Sequence, residues 1–186
     1  MGIMSRLFIS IELEDQIKED IQLVQSLFSS NIMKATPTRK EHMHLTLKFL
    51  GDVKNDNIND IIDAMREATE SIVPFDMDIS GVSAFPTSRN PRILWIGAHN
   101  EQLAILAENL DKTLRRRGIS GDDKPFHPHI TFMRVKEIYR VDDVNDIIQK
   151  EKGRRVGLQH VSQIHLRKSI LTPSGPIYSS EGVLTL

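Results

Sequence analysis

The chain has no cysteine. That excludes disulfide bridges, thiolate nucleophiles and zinc sites built on sulfur, and it fits a reducing compartment. Aromatic residues are scarce at 5%, with one tryptophan and two tyrosines. No apolar run approaches 18 residues, so no helical membrane span is expected. The first ten residues run into a charged segment without the shape of a cleavable signal, so a cytoplasmic protein is expected. Net charge is almost absent too: 24 basic against 25 acidic side chains give −1. Anion binding would therefore depend on local patches.

What is present is the profile of a globular protein, with 186 residues, 39% apolar and 26% charged. A chain of this length buries about 70% of its unfolded surface and needs no staples. One domain, or one domain of two small lobes, is expected. Residues 34–54 hold five basic and two acidic side chains, and residues 115–140 seven and three. Two basic segments in a near-neutral chain can still present a positive surface to a phosphate-bearing ligand.

Leu7, Ile9, Ile11 and Leu13 alternate with Phe8, Ser10 and Glu12, the period of a strand over 6–13. Over 14–29 the period changes to that of a helix, with Ile17, Ile21, Val24 and Phe28 on one stripe. A second strand is expected over 44–50, stopping at Gly51. A helix over 56–73 carries Ile58, Ile61, Ile62, Met65 and Ile72 inward, and a third strand covers 75–84. The order then recurs. A strand over 92–98 leads to a helix over 101–117 with Leu103, Leu106, Ala107, Leu110 and Leu114 on one face and Gly118 as its stop. A strand over 129–136 and a short helix over 142–152 follow, then a long extended stretch over 156–171. The turn Thr-Pro-Ser-Gly-Pro at 172–176 leads into a last strand over 177–186.

Equivalent elements stand about 85 residues apart, with His44 matched to His129 and Ile79 to Ile164. The economical reading is a single bilobal α+β domain spanning 1–186, with topological repeats at about 1–85 and 90–171. Each repeat has the split β-α-β order of a ferredoxin-like lobe, and two such lobes related by a pseudo-twofold leave a central cleft between two mostly antiparallel sheets.

Two triplets carry the chemistry: His44-Leu45-Thr46 and His129-Ile130-Thr131. On a strand, residues i and i+2 share a face, so each triplet offers an imidazole and a hydroxyl side by side while Leu45 and Ile130 pack behind. They fall at matched places in the two repeats, and a pseudo-twofold would bring them face to face. Hydrolysis of a phosphodiester needs a base for water and an acid for the departing oxygen, on opposite sides of phosphorus. Histidine serves as either near neutrality. Threonine hydroxyls would hold the non-bridging oxygens. The scheme calls for no metal and no cofactor. Lys48 shares the alternation of His44 and Thr46 and is a further candidate for phosphate contact.

The segments His44-Leu-Thr-Leu-Lys-Phe-Leu-Gly51 and Phe126-His-Pro-His-Ile-Thr-Phe-Met-Arg134 resemble the two signatures of the 2H phosphoesterases. With Arg6-Leu-Phe-Ile-Ser-Ile11 and Pro91-Arg-Ile-Leu-Trp-Ile-Gly97, the chain is similar to the RNA 2′,3′-cyclic phosphodiesterases historically called 2′-5′ RNA ligases. The resemblance implies opening of a 2′,3′-cyclic phosphate at an RNA end, tRNA fragments included, to leave a 2′-phosphomonoester. It implies His44 as donor to the leaving 3′ oxygen, His129 as acceptor from water, and Thr46 and Thr131 as phosphate holders. Joining ends through a 2′-5′ bond is allowed as a side activity. Arg134 stands at a basic position common in the family and is a candidate substrate contact. Simple alternation puts it on the face opposite Thr131, so that role needs a bulge or a strand end.

Other readings compete. His42 and His127 precede the motif histidines by two residues, and four such imidazoles would suit zinc or nickel. His99, His160 and His165 have no partner in sequence and read as surface or packing residues. Arg115-Arg116-Arg117 reads as a solvated helix end favoured by the dipole. A non-catalytic RNA-binding module of two ferredoxin-like lobes is the alternative of another class. Such modules read bases with aromatics on the sheet, and here histidine and threonine are expected at the cleft-facing positions instead. A monomer is the default expectation.

Overall fold

The computed structural model describes residues 3–173 and 175–186. Met1 and Gly2, read above for a signal, and Ser174 of the 172–176 turn lie outside the described residues. Among the described residues, nine strands and four α-helices follow in the order β1 (Met4–Glu12), α1 (Asp15–Gln25), β2 (Met33–Pro37), β3 (His44–Lys54), α2 (Ile58–Thr69), β4 (Phe75–Thr87), β5 (Asn90–His99), α3 (Glu101–Arg116), β6 (His129–Ile138), α4 (Val141–Lys150), β7 (Arg155–Val161), β8 (Gln163–Thr172) and β9 (Gly175–Thr185).

Every strand pair is antiparallel, and the sheet runs β7-β4-β5-β6-β3-β1-β8-β9 with β2 alongside β6. It is two half-sheets joined at the centre by a single pair, Leu45 with Ile130. The architecture is bilobal α+β with a mostly antiparallel, curled sheet.

The stripes read from periodicity are the buried ones. Ile17, Ile21, Val24 and Phe28 are buried from α1 and the turn after it, and Leu103, Leu106, Leu110 and Leu114 from α3. Asn100 caps α3 by accepting from the Gln102 amide at 2.8 Å, and Gly118, with φ +73°, ends it.

Besides β2, a strand that the sequence reading does not contain, three features differ from the sequence expectations. β3 does not stop at Gly51: Leu7 pairs with Gly51 and Phe8 with Phe49, so Leu50 is an extra residue and the strand bends onward to Lys54. Gly51 has φ +71°, a conformation open to glycine, which lets the bulge form. The extended stretch over 156–171 is two strands in different half-sheets, β7 beside β4 and β8 beside β1, with only Ser162 between them. β9 begins at Gly175 rather than at residue 177.

Sequence repeats and spatial lobes do not coincide. α2 and α3 pack together beneath the half-sheet of β3, β1, β8 and β9, while α1 and α4 pack on the half-sheet of β6, β5, β4 and β7. Each half of the chain thus lends a helix and two strands to the other, α1 with β2 and β4 in one direction and α3 with β8 and β9 in the other. Among the described residues no helix is long and apolar enough to cross a membrane.

Candidate active site

The Leu45–Ile130 pair lies between the two His-x-Thr triplets. Because the pair is antiparallel, His44 is directed toward Thr131 and Thr46 toward His129, all four on the face away from the buried Leu45 and Ile130. All four line one cavity of about 550 Å³. His42 lines it too, as do Arg6, Arg39 and Arg134. No carboxylate lines it among the described residues.

Each motif imidazole is anchored in the same way. His44 Nδ1 lies 2.8 Å from the His42 carbonyl oxygen and His129 Nδ1 lies 2.6 Å from that of His127. A carbonyl only accepts, so Nδ1 donates in both rings, and Nε2 is left as the working nitrogen. His44 Nε2 lies 3.1 Å from Thr46 Oγ1. The rings are also walled by aromatics. His44 stacks on Phe8 with centroids 4.9 Å apart and meets the edge of Tyr178. His129 stands edge-on to Phe85 and Trp95.

These walls set the protonation chemistry. Burial pushes His44 below the ordinary imidazole range, while the bond to the His42 carbonyl and the charge of Glu12 work against it. Burial also pushes His129 down; its bond to the His127 carbonyl opposes the push and the His127 ring adds to it.

Arg134 and Lys48 exchange the prospects that alternation gave them, for one reason. In the β5–β6 register, Leu94 pairs with Met133 and Trp95 with Thr131, so Phe132 is an inserted residue. The insertion buries Phe132 and Met133 in succession and returns Arg134 to the face of Thr131, where it lines the cavity. The β1–β3 register carries the matching bulge: Ile9 pairs with Lys48 and Ser10 with Thr46, so Leu47 is inserted. There Phe49, not Lys48, is turned into the cavity. Lys48 Nζ is instead held by Asp111 of α3 at 2.7 Å and by the Asp122 carbonyl. The expected phosphate contact by Lys48 is therefore corrected to a structural tie. Lys48→Ala is expected to leave KM for substrate within about twofold and to cost about 1–3 kcal/mol of stability, read by urea unfolding beside steady-state kinetics.

The aromatic lining is a second correction. Phe8, Phe49 and Tyr178 all face the cavity. Scarcity across the chain does not prevent concentration at one place. Arg6 lies over the Phe49 ring, 5.0 Å from its centroid.

The other histidines are dispersed. The His42 ring packs against Tyr178 and the His127 ring against Trp95, and among the described residues no three histidine or carboxylate side chains converge as a metal site would require. His160 pairs with Asp76 at 2.7 Å, and His99 Nε2 lies 3.2 Å from the Ser80 carbonyl. His165 is half-buried beside Ser10. Arg116 and Arg117 both clasp Glu67 of α2, and Arg115 pairs with Asp111 and Asp123, so this run ties helices together.

Sequence reasoning missed Gln25, at the end of α1. Its Nε2 donates to the carbonyl oxygens of Phe132 at 2.7 Å and Thr38 at 2.9 Å, and the Thr38 amide donates to the same Phe132 oxygen at 2.8 Å. The carbonyl of the β6 bulge is thereby satisfied, and the Thr36–Arg39 wall of the cavity is fastened to it. No local pattern marks such a glutamine.

The chain matches the family described as LigT like Phosphoesterase over residues 11–95 and again over 96–178. It is 35% identical to the RNA 2′,3′-cyclic phosphodiesterase of Methanocaldococcus jannaschii, across 93% of this chain and 96% of that protein. The RNA 2′,3′-cyclic phosphodiesterase of Archaeoglobus fulgidus gives the same identity and coverage. Among solved structures, TT0787 of Thermus thermophilus superposes with a TM-score of 0.81 at 26% identity over 97% of both chains. E. coli LigT complexed with 3′-AMP shares the fold, with a TM-score of 0.79 at 23% identity over 99% of both chains. Two Nδ1-anchored histidines in one cleft and a family match over nearly the whole length agree: the chain belongs to the LigT-like phosphoesterases, the 2H group that its paired His-x-Thr strands resemble.

Proposed function

We propose that this enzyme hydrolyses the 2′,3′-cyclic phosphodiester at an RNA end to a 2′-phosphomonoester, using its two histidines as acid and base. The observation that carries the reading is the crosswise placement of His44, Thr46, His129 and Thr131 in one cavity without a carboxylate among the described residues. The relatives named above act on that bond by name. In the proposed step His129 Nε2 takes a proton from water as the oxygen attacks phosphorus. His44 Nε2 gives a proton to the departing 3′ oxygen. The Thr46 and Thr131 hydroxyls donate to the non-bridging oxygens, and Arg134 balances the charge of the phosphate. Phe8, Phe49 and Tyr178 supply faces on which a terminal base would stack. With a 5′-hydroxyl in place of water, the same groups in the same roles would join ends through a 2′-5′ bond as a side reaction, His129 taking the hydroxyl proton and His44 protonating the departing 3′ oxygen.

The test is an oligoribonucleotide with a cyclic end, its product identified by phosphorus NMR and its rate followed against pH. A 2′-phosphate is expected, at a rate unchanged by excess chelator. The sign of the pH dependence follows from the roles. Activity falls toward acid as His129 takes up a proton, and toward alkali as His44 loses one. Burial lowers both groups, so both limbs of kcat/KM are expected at or below about pH 6.5. The anionic substrate favours imidazolium, so the kcat profile should lie to the alkaline side of it. A 3′-phosphate product or a monotonic profile would overturn the proposal.

A further inference from the structure

The two histidines occupy matching positions, but their strand neighbours do not match. In the β1–β3 register Glu12 lies opposite His44, and in the β5–β6 register Gly97 lies opposite His129. One histidine therefore has a carboxylate beside it and the other a glycine. Glu12 is no loose surface acid. Its Oε1 is paired with Arg167 Nη1 at 2.6 Å, both side chains being largely covered, and the buried Ser10 hydroxyl donates to the same oxygen at 3.2 Å. Arg167 is pinned in turn, its guanidinium 5.9 Å from the Tyr178 ring centroid.

We infer that Glu12, anchored by Arg167, is the positioning residue that makes His44 rather than His129 the histidine that carries the proton. The inference rests on the acid–base reading above and deepens it, because the pseudo-twofold alone leaves the two rings interchangeable.

The surroundings of each ring support the assignment. Facing His44 are Glu12 from β1, His42 from the turn before β3, Arg167 from β8 and Tyr178 from β9, with His165 of β8 on the far side beside Ser10, near Glu12 and Arg167. Arg6, Arg39, Arg134 and His129 line the same cavity. Burial, the strongest influence, disfavours imidazolium at both rings; Glu12 is the single carboxylate in that set and the one charge that favours imidazolium at His44, against Arg167 and His42. At His129 the neighbouring titratable ring is His127, which disfavours a second positive charge. Glu12 stands beside His44 yet does not line the cavity, so it can bias the proton without repelling an anionic substrate.

The experiment is an NMR titration of ligand-free, ring-labelled histidine in wild type, Glu12→Gln and Glu12→Asp. Glutamine keeps a partner for Arg167 and removes the charge. In Glu12→Gln the His44 midpoint is expected to move about one pH unit toward acid while that of His129 stays put. Glu12→Asp, which keeps the charge, should return His44 most of the way to the wild-type midpoint. In hydrolysis, the alkaline limb of kcat/KM should move with His44, for a roughly tenfold loss at pH 7.5, and the acid limb should stay. Unchanged titration of His44, or an equal movement of His129, overturns the inference. If the wild-type protein leaves cyclic ends untouched, the acid–base reading fails instead, and the titration still decides whether Glu12 sets the order of the two imidazoles.

Discussion

His44→Ala and His129→Ala are each expected to lower kcat on cyclic-ended RNA by about 10²–10⁴-fold, the usual contribution of a positioned acid or base. Binding should survive, because Thr46, Thr131 and the three arginines of the cavity are untouched. KM is therefore expected to change by less than about fivefold. In the proposed mechanism the two rings act on one proton circuit, so the double variant should be little slower than the worse single one. Each His→Ala change also removes a ring stacked against aromatics, so thermal unfolding should be followed alongside to separate loss of chemistry from loss of fold. Retention of more than a tenth of wild-type kcat by either variant would remove that histidine from the mechanism.

Phe132→Ala should produce the largest loss of stability. Phe132 is fully buried, packs on Phe28 with ring centroids 5.9 Å apart, and is the inserted residue of the β6 bulge. Truncating a buried phenylalanine costs about 3–5 kcal/mol through lost burial and the cavity left behind. For a chain of this size that corresponds to a fall in Tm of roughly 10 °C. Activity should fall further than stability explains, because the bulge directs Arg134 into the cavity and its carbonyl holds Gln25 and Thr38. Phe132→Leu keeps most of the volume and should recover most of both. A shift below about 1 kcal/mol for the alanine variant would mean that the core collapses around the gap and that Phe132 is not what fixes the bulge.

The difference between what could and could not be read from the chain has a physical basis. Period-two and period-3.6 patterns are local, so Leu7, Ile9 and Ile11 announced a strand and Leu103, Leu106 and Leu110 a helix. The same locality placed His44 with Thr46 and His129 with Thr131. A bulge changes the count by one residue and is set by the partner strand, so nothing near Leu47 or Phe132 in sequence declared it. Alternation across those insertions turned Lys48 toward the cleft, which it does not line, and turned Arg134, which does line it, away. Glu12 was hidden similarly, because its place beside His44 is a matter of register between strands 32 positions apart. The crossing of α1 and α3 to opposite half-sheets leaves no periodic trace at all.

The lone backbone bridge at the centre of the sheet has a mechanical consequence. With so little main chain stitching the halves together at Leu45 and Ile130, the gap between the imidazoles is gauged by how two packed bodies seat against each other, as the jaws of a caliper are gauged by its frame. The frame is shared, since each body is completed by segments from both ends of the polypeptide. Loosening on either flank is therefore expected to change that gap, so that turnover is lost before the protein unfolds.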